Sequence, residues 1–483
     1  MVDMSATIIH HGHIRLLKKA FEYGDIIVGL TTDEEILKAK GYTPELDYES
    51  RKETLESIKY VKEVVPTSWK IDNQTIEEYE IDFLIHGHDN SNEISEEKLI
   101  LFPRTQGVCS SDIRKKSFNI INNVKRNILL NPGPATTTDT VKISQVVPDI
   151  CPREKEFGSV MEFVSNELTK VVANVHEFST ILFGGSGTAA VESIITSVVP
   201  FDKTILIVNN GSYGQRIIDM SKRYKIKYKE FKSSPIEPID LKRLEGVIKS
   251  SSDISHLAVI HNETTTGLLN NLDQLGELSR KYKIDLIVDA MSSYAALPID
   301  MKKQNISFMA ASSNKNIQGM AGVGFVIANQ QKLKNLKTIQ PRSFYLSLFE
   351  QYENFLKSKQ MRFTPPVQTL YALKQAIIEL KSEGVKNRHI RYIKSWELLT
   401  KSLKNLGLSY LVEDENHSKI ITSIEIPDSI DFVNMHDYFY SKGFTIYPGK
   451  IEEFNTFRIA NIGHIDSNDI RDFIKLLKMY LDK

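Results

Sequence analysis

Two short stretches of the sequence contain residue types that can bind phosphate groups. In TIIHHGHIRLL, His10 and His13 stand on either side of His11 and Gly12, just before an apolar pattern of helical period. The N-terminus of a helix attracts anions, because it offers unpaired N–H groups and the positive end of the helix dipole. Glycine permits close approach of the backbone, and imidazoles can donate to phosphate oxygens. The stretch favours a phosphate site, with metal binding or plain helix capping as alternatives.

The second stretch, GGSGTAAVES, predicts a phosphate-binding helix start at Ser186, Gly187 and Thr188. It is followed far along the chain by Lys315 in SSNKNIQG, between the apolar runs ISFMAA and AGVGFVIA. A lysine amine can condense with the carbonyl of a cofactor such as pyridoxal phosphate. Asp289 ends the apolar stretch DLIVDA and is a candidate partner for the pyridine nitrogen. These residues together predict a site for a pyridine cofactor that carries a phosphate.

An arginine near the end of the chain completes this second set. Arg458 lies in FRIANIG, which has the apolar pattern of a buried strand. A guanidinium group forms forked contacts with carboxylates and phosphonates. We therefore expect Arg458 to bind the acidic group of a substrate.

The elements that must position these residues alternate between strand and helix. An amphipathic helix is predicted over residues 47–65, and a polar linker with a short helix over 114–127. This rhythm is typical of parallel sheets covered by helices, so we expect an α/β protein. Strands are predicted at 25–32, 81–87, 204–210, 256–262, 285–290, 322–329 and 457–463.

Length and composition limit the possible classes of protein. A chain of 483 residues exceeds what one hydrophobic core supports, which is about 250–300 residues, so several domains are expected. Lys plus Arg and Asp plus Glu both total 61, so no net charge attracts nucleic acid or a membrane surface. The two cysteines, Cys109 and Cys151, provide no disulfide framework. We expect a cytoplasmic protein with small-molecule substrates, no nucleic-acid partner, no membrane partner and no signal peptide.

Residues 1–118 resemble the cytidylyltransferase family. The similarity rests on HHGH at 10–13 and on LKAKGY, HGHDN and PRTQGVCSSDIRKK. It implies a Rossmann-like nucleotidyltransferase domain in which His10 and His13 contact the triphosphate of CTP, with Mg²⁺ bridging the phosphates. Lys38 or Lys40 would then bridge the phosphates of substrate and nucleotide, with Lys40 the catalytic choice. The resemblance implies further nucleotide contacts from Asp89, Arg104, Ser110 and Ser111.

Two alternatives stay open for this domain. Thr7 stands where the family has an acidic residue, so the domain could bind a nucleotide without catalysis and regulate the rest of the chain. It could also act on phosphocholine or phosphoethanolamine.

Residues 127–483 resemble the class V, fold-type I aminotransferases. The similarity rests on ten stretches in order, among them LLNPGPATTT, GSGTAAVES, NNGSYGQR, HNETTTG, SSNKNIQG, RFTPP and FRIANIG. It implies a large α/β domain and a smaller C-terminal α+β domain, with Lys315 and Asp289 binding pyridoxal 5'-phosphate. Ser186, Gly187 and Thr188 would bind its phosphate group. The resemblance also implies a homodimer in which Thr364 reaches a phosphate of the neighbouring subunit, and a substrate acid held by Arg458.

Among these aminotransferases, the chain is most similar to the group that acts on 2-aminoethylphosphonate and pyruvate. A cysteine desulfurase is excluded, because it needs a cysteine beyond the lysine and none follows Cys151. An alanine–glyoxylate or serine–pyruvate aminotransferase stays open. The two resemblances together imply a bifunctional enzyme with domains at 1–118 and 127–483 and a linker at 119–126. It would convert phosphonoacetaldehyde to 2-aminoethylphosphonate with alanine as donor, and then activate the product with CTP.

Overall fold

The computed structural model describes the chain apart from residues 88–90, 104, 106–109, 111–112, 114–125, 428, 452–453 and 483. It divides the protein into two compact units, Met1–Lys125 and Arg126–Lys483. The predicted linker helix over 114–127 falls mostly outside the described residues, so it stays a prediction. Among the residues that are described, no helix combines the length and apolar character needed to cross a membrane.

The N-terminal unit contains a five-stranded sheet in which every pairing is parallel. The strands are β1 Val2–Met4, β2 Ile26–Thr31, β3 Val61–Thr67, β4 Leu84–Gly87 and β5 Leu99–Phe102. Their order in the sheet is β3-β2-β1-β4-β5. The order reverses between β1 and β4, and such a switch point in a parallel sheet is where ligands commonly bind.

The helix predicted over residues 47–65 is wrong in its second half. The helix covers Tyr48–Glu56, and strand β3 follows it at Val61–Thr67. Val64 and Val65 are buried in this strand, which pairs in parallel with β2. β-Branched side chains favour strands, and the pairing with β2 outweighs the helical spacing of the apolar residues. The other predicted strands are present, with ends within three residues of those expected.

The C-terminal unit is built on a seven-stranded sheet of order β7-β15-β14-β13-β10-β8-β9. Its strands are β7 Phe178–Gly184, β8 Thr204–Asn209, β9 Tyr228–Lys232, β10 Ile254–Ile260, β13 Asp285–Asp289, β14 Ile306–Ser312 and β15 Val323–Asn329. The expectation of a parallel sheet holds except for β15, which is antiparallel to both neighbours. Only the loop 313–322 joins β14 to β15, and a parallel crossover needs a dozen or more residues.

A smaller C-terminal sheet has the order β16-β19-β18 and is antiparallel. It is formed by β16 Ile421–Glu425, β18 Tyr447–Pro448 and β19 Thr456–Ala460. Two-residue strands pair elsewhere in the unit: Ile128–Leu129 with Phe444–Thr445, and Asn262–Glu263 with Leu268–Leu269.

Helices cover the sheets of both units. The α-helices of the N-terminal unit whose residues are all described are His11–Ala20, Asp33–Lys40, Tyr48–Glu56 and Asn73–Glu78. Those of the C-terminal unit are Asp139–Ile143, Lys155–Lys170, Gly187–Val198, Ser212–Arg223, Leu241–Lys249, Leu272–Tyr282, Gln330–Asn335, Leu348–Ser358, Val367–Glu383, Val385–Asn405, Phe432–Ser441 and Ser467–Leu481. Short 3₁₀ helices lie at Phe21–Tyr23, Glu96–Lys98 and Leu336–Thr338.

Candidate functional site

The paired histidines of the N-terminal unit form reciprocal bonds at the start of the helix His11–Ala20. His10 Nδ1 accepts a hydrogen bond from Gly12 N at 3.2 Å. His13 Nδ1 accepts one from His10 N, also at 3.2 Å, and the two ring centroids lie 4.0 Å apart. Helix capping, one of the alternatives for this motif, therefore does occur. It uses one nitrogen of each ring.

The capping bonds fix where each neutral ring carries its proton. Because Nδ1 accepts in both rings, the proton of the neutral imidazole is on Nε2. Burial, followed by the neighbouring His10, lowers the pKa of His13 to about 4. At neutral pH His13 is therefore an uncharged Nε2–H donor, able to form a hydrogen bond with a phosphate oxygen without carrying charge itself.

The histidine motif follows β1, beside the switch point of the sheet. Ser110 Oγ donates to Ile8 O at 3.1 Å, so this predicted nucleotide-binding residue lies against the chain that leads to the histidines. The other predicted contacts, Asp89, Arg104 and Ser111, lie outside the described residues. Within the described part of the chain, no group of three His, Cys, Asp or Glu side chains could hold a metal ion.

The two candidate lysines differ in their surroundings. Lys40 Nζ donates to Ser5 Oγ at 3.3 Å and lies 4.9 Å from the centroid of the Trp69 ring. Lys38 pairs with Glu35 at 3.5 Å, and 80% of its side chain is exposed. Lys40 is thus the lysine held beside the segment that follows β1, and it is the better placed of the two for the bridging role.

Arg51 is a residue of this region that the sequence did not single out. Its side chain is fully buried and donates to Ser5 O at 2.6 Å and Thr31 O at 2.9 Å. It also forms an ion pair with Asp33 at 2.6 Å. Arg51 therefore ties the chain after β1 to the end of β2, which fixes the path into the histidine motif. The one signal in the sequence was its spacing of four from the buried Leu55.

In the C-terminal unit, five predicted residues line one cavity of about 180 Å³. They come from the carboxyl ends of three strands and the loops that follow: Ser186, Gly187, Thr188, Asp289 and Lys315. Residues after β7, β13 and β14 meet here because these strands point the same way. From the sequence, the chemistry of these five residues predicts that they belong to one cofactor site, and their roles stay predictions.

Lys315 lies under the chain segment at Pro132 and Gly133. Its Nζ donates to Pro132 O at 2.5 Å. A Cβ atom on Gly133 would lie 2.4 Å from that Nζ, and Gly133 has a φ of +139°, so the position requires glycine. Burial lowers the pKa of Lys315 to about 8, with Asp289 opposing the shift. The amine therefore loses its proton more readily than an exposed lysine, as a nucleophilic amine must.

Asp289 ends β13 inside the cavity. Met291 N donates to its Oδ1 at 3.0 Å. Burial raises the pKa of Asp289 to about 6, although that hydrogen bond and the cations Arg216 and Lys315 oppose the shift. A buried carboxyl at this position suits a protonated ring nitrogen, which would restore its ionised form.

The start of the helix Gly187–Val198 forms an anion cradle. Ser186 precedes the first turn and makes no side-chain capping bond. A Cβ on Gly187 would lie 2.3 Å from Met291 Sδ, so glycine allows the helix start to pack closely against Met291, which also lines the cavity. Arg216 Nη1 donates to Thr188 Oγ1 at 3.2 Å and adds a cation beside the cradle. N–H groups, hydroxyls and one guanidinium are the donors that a phosphate group requires.

Two predicted residues do not line this cavity. Arg458 is buried beside it, with Nη1 donating to the backbone oxygen of the lining residue Thr264 at 3.1 Å. Thr364 is exposed and is not among the residues lining the cavity of its own chain. Its predicted contact with a neighbouring subunit stays a prediction.

The cavity contains polar groups that the sequence did not assign. Tyr213 lines it, and Arg216 lies 4.8 Å from the centroid of its ring. Asn262 Oδ1 and Thr264 Oγ1 are buried and have no hydrogen-bond partner among the described residues. Buried polar atoms normally find partners, so these atoms suit a polar ligand. With the lysine, the acid and the phosphate cradle, the residues present fit pyridoxal phosphate.

A profile of the class V aminotransferases matches residues 144–444. The chain belongs to this family. A cytidylyltransferase-like profile matches residues 5–125. The resemblance of both parts of the chain to these families is therefore confirmed, as is the α/β fold with a parallel N-terminal sheet.

Curated relatives are similar to the aminotransferase part of the chain. A 2-aminoethylphosphonate–pyruvate transaminase of Bacillus mycoides is 37% identical over 356 residues, which is 73% of this chain and 97% of that protein. A bifunctional phosphonoacetaldehyde hydrolase/aminoethylphosphonate transaminase of Clostridioides difficile is 37% identical over 361 residues, 74% of this chain. The match spans 56% of that longer protein.

A solved structure has the same fold. The alanine–glyoxylate aminotransferase of Nostoc sp. superposes with a TM-score of 0.70 and 25% identity, over 74% of this chain and 96% of that one. The C-terminal unit thus has the fold-type I architecture, and pyridoxal phosphate is the cofactor of its family.

Proposed function

We propose that the protein is a bifunctional enzyme of phosphonate biosynthesis. The C-terminal unit would transfer an amino group from alanine to phosphonoacetaldehyde, giving 2-aminoethylphosphonate and pyruvate. The N-terminal unit would then react this product with CTP, giving CMP-2-aminoethylphosphonate and pyrophosphate. One observation carries the first activity: the Lys315 cavity belongs to a segment 37% identical to a 2-aminoethylphosphonate–pyruvate transaminase along 97% of that protein.

Each residue of the cavity would have its own role in transamination. Bound pyridoxal phosphate supplies the carbonyl that exchanges the amino group and the ring that withdraws electrons from the reacting carbon. Lys315 Nζ would hold the cofactor through that carbonyl when no substrate is bound, and with substrate present it would take the proton from the substrate carbon that bears nitrogen. Asp289 would keep the ring nitrogen protonated, while Ser186, Gly187 and Thr188 would bind the phosphate. Arg458 would orient the substrate by its acidic group.

The proposed cytidylyl transfer is an in-line attack by a phosphonate oxygen on the α-phosphorus of CTP. The new P–O bond forms as the bond to pyrophosphate breaks, so the reaction needs positioning and charge stabilisation. His10 and His13 would donate to the triphosphate and Lys40 would bridge the two reacting phosphorus groups. Ser110, with Asp89, Arg104 and Ser111, would hold the nucleotide, whose triphosphate would bring Mg²⁺ with it.

The pairing of the two units supports the biosynthetic direction. The product of the first reaction has the amine and the acidic group that a cytidylyltransferase of small phosphate esters would accept. Activation consumes CTP, which would be wasteful in a degradative route. CTP and a paucity of cysteines both suit the cytoplasm, which we propose as the site of action.

The experiment that tests this proposal combines both assays on the full chain. The protein is incubated with CTP and Mg²⁺ and, in turn, 2-aminoethylphosphonate, phosphoethanolamine and phosphocholine, while pyrophosphate and phosphorus resonances are followed. We expect pyrophosphate and a new diphosphate resonance with 2-aminoethylphosphonate. Faster reaction with another substrate would identify a different cytidylyltransferase. No pyrophosphate, but a changed transamination rate on adding CTP, would identify a nucleotide-sensing domain.

We also propose a homodimer built through the aminotransferase unit. Phe344 is 78% exposed and Tyr345 is 44% exposed, and both rings pack against Phe363 next to the exposed Thr364. An aromatic cluster of this kind suits a subunit interface. Light scattering should give twice the chain mass, and a fully active monomer would contradict the proposal.

A further inference from the structure

A hairpin of the small C-terminal sheet carries two cations, Lys450 and Arg458. Strands β18 and β19 pair Tyr447 with Arg458, and Lys450 lies two residues beyond the end of β18. Arg458 Nε donates to Pro448 O at 2.9 Å. Gly449 N donates to Thr456 O at 2.7 Å, and a Cβ on Gly449 would lie 2.2 Å from Thr456 Oγ1. The same close-packed turn therefore fixes the backbone beside both cations.

The lysine of this hairpin is an exposed residue that lies beside the cofactor cavity. Lys450 Nζ lies 5.9 Å from the centroid of the Tyr213 ring, and Tyr213 lines the cavity. Partial burial lowers the pKa of Lys450, with further contributions from Arg458 and Arg216, while Glu263 opposes the shift. Arg458, Arg216 and Lys450 also help to lower the pKa of Lys315, after burial. The three cations therefore share one electrostatic environment with the reacting lysine.

The cations around the cavity have two anionic groups to bind, the phosphate of the cofactor and the acidic group of the substrate. Arg216 donates to Thr188 Oγ1 and so belongs to the phosphate cradle of the cofactor. Arg458 and Lys450 remain for the substrate. The buried acid that acts on both cations is Glu263, whose Oε1 accepts from Thr265 N at 3.1 Å and whose pKa burial raises to about 7. At neutral pH this acid is only partly ionised, so the pair of cations keeps an excess of positive charge.

The substrates of the proposed reaction differ in charge. Alanine and pyruvate present a carboxylate with one negative charge, which a single guanidinium matches. A phosphonate is tetrahedral and carries up to two charges. Two of the N–H groups of Arg458 are already donated to the backbone oxygens of Pro448 and Thr264. A second cation is therefore the natural partner for the second phosphonate charge.

We propose that Lys450 and Arg458 form the subsite for a doubly charged phosphonate, and that Lys450 makes the site prefer a dianion over a monoanion. This inference rests on the proposed transamination of 2-aminoethylphosphonate. It assigns Lys450 as a specificity-determining residue of that reaction, with Glu263 as the buried acid that limits the charge of the subsite.

The test uses two ligands of one shape that differ by one charge and cannot exchange an amino group. Binding of 2-hydroxyethylphosphonate and 2-hydroxyethanesulfonate to the holoenzyme is measured by calorimetry at a pH where the phosphonate is doubly ionised. The variants are Lys450→Gln, Lys450→Arg and the control Lys442→Gln, which removes an exposed lysine of the same unit. A charged hydrogen bond contributes about 1.5–3 kcal/mol, and each 1.4 kcal/mol is a factor of ten.

We expect Lys450→Gln to weaken phosphonate binding by about 10- to 100-fold while changing sulfonate binding by less than about threefold. Lys450→Arg should keep most of the preference, and Lys442→Gln all of it. In steady-state kinetics of Lys450→Gln, the KM for the aminophosphonate substrate should rise, while the KM for alanine should be nearly unchanged.

Two results would overturn the assignment: an unchanged phosphonate preference in Lys450→Gln, or an equal loss for both ligands. The proposed function fails on a different result, namely a wild-type holoenzyme that does not transaminate 2-aminoethylphosphonate.

Discussion

Lys315 and Asp289 have pKa values displaced toward each other because both side chains are buried in one cavity. Burial lowers the pKa of the lysine to about 8 and raises that of the acid to about 6. A cofactor with a protonated ring nitrogen and a carbonyl relieves both penalties. The cavity therefore holds unfavourable buried charge until it binds a ligand of this kind, which is a residue-level reason for its affinity.

Asp289 should make the stability of the cofactor-free protein depend on pH. Asp289 has a folded pKa of about 6 against an ordinary value of 3.8, so between these pH values the folded state binds more protons than the unfolded state. Its contribution to the free energy of unfolding falls as pH rises through that window, by up to about 3 kcal/mol. We therefore expect the free energy of unfolding of the wild type, measured with denaturant and relative to that of Asp289→Asn, to fall as the pH rises from 4 to 6. Parallel curves for the two proteins would contradict this expectation.

The histidine motif gives a prediction about transition-state stabilisation. His13 is a neutral Nε2–H donor at the start of a helix, where charge would build as pyrophosphate leaves. Removing one such donor typically costs a factor of about 10²–10³ in kcat. His13→Ala should therefore lower kcat for cytidylyl transfer more than it weakens CTP binding.

Two controls separate this role from helix capping. His11 is exposed between the two histidines, so His11→Ala should change kcat much less. If His13 only capped the helix, His13→Ala would instead lower the melting temperature, and activity would fall only because less of the protein is folded. Full cytidylyl transfer by His13→Ala at saturating CTP would refute the catalytic role.

At the scale of elements, the seven strands predicted from local patterns are all present, but the patterns failed where two signals overlapped. Residues 47–65 have helical spacing throughout, yet Val61–Thr67 is a strand because it pairs with β2. The role of Arg51, on the preceding helix, could not be predicted either. Arg51 donates hydrogen bonds to the carbonyl groups of Ser5 and Thr31, which come close to it only in the folded unit. Contacts with backbone groups that are far away in the sequence cannot be predicted from the spacing of neighbouring residues.

The turn at Lys450 shows the same limit in the other unit. The sequence marked Arg458 by its strand pattern and its charge. Lys450 followed a proline and a glycine and resembled any loop lysine. The hairpin pairing and the packing of Gly449 against Thr456 fix the turn that holds Lys450 beside Tyr213, which lines the cavity.

Two helical glycines give a matched test of how the elements pack. Gly246 lies in the helix Leu241–Lys249, and a Cβ added there would have no atom within 4 Å, whereas a Cβ on Gly276 would lie 2.0 Å from Gln304 O. Alanine suits a helix better than glycine, so Gly246→Ala should stabilise the protein by about 0.5–1 kcal/mol. Gly276→Ala should destabilise it by about 1–3 kcal/mol through overpacking. Urea unfolding measures both, and shifts of the same sign would contradict the packing described.

At the scale of the whole molecule, each candidate site is built from residues of one unit. The histidine motif, Lys40 and Arg51 belong to Met1–Lys125, and the Lys315 cavity belongs to Arg126–Lys483. From a change of composition and from two sets of motifs, domains are expected at 1–118 and 127–483. The prediction for Thr364 rests on the family resemblance alone, because an exposed residue carries no local signal of a partner in a neighbouring subunit.

Because each site belongs to one compact unit, the two activities should be lost separately. We expect the purified protein to be yellow from cofactor bound at Lys315. Lys315→Ala removes the amine that binds the cofactor carbonyl, so it should abolish the colour and transamination while pyrophosphate release from CTP continues at the wild-type rate. His13→Ala should have the opposite pattern, losing cytidylyl transfer but keeping both the visible absorption and transamination. Absorption spectra, both assays and thermal melts on the same preparations measure this. A folded Lys315→Ala protein that has lost both activities would mean that the sites are not independent, and the two-site proposal would then be wrong.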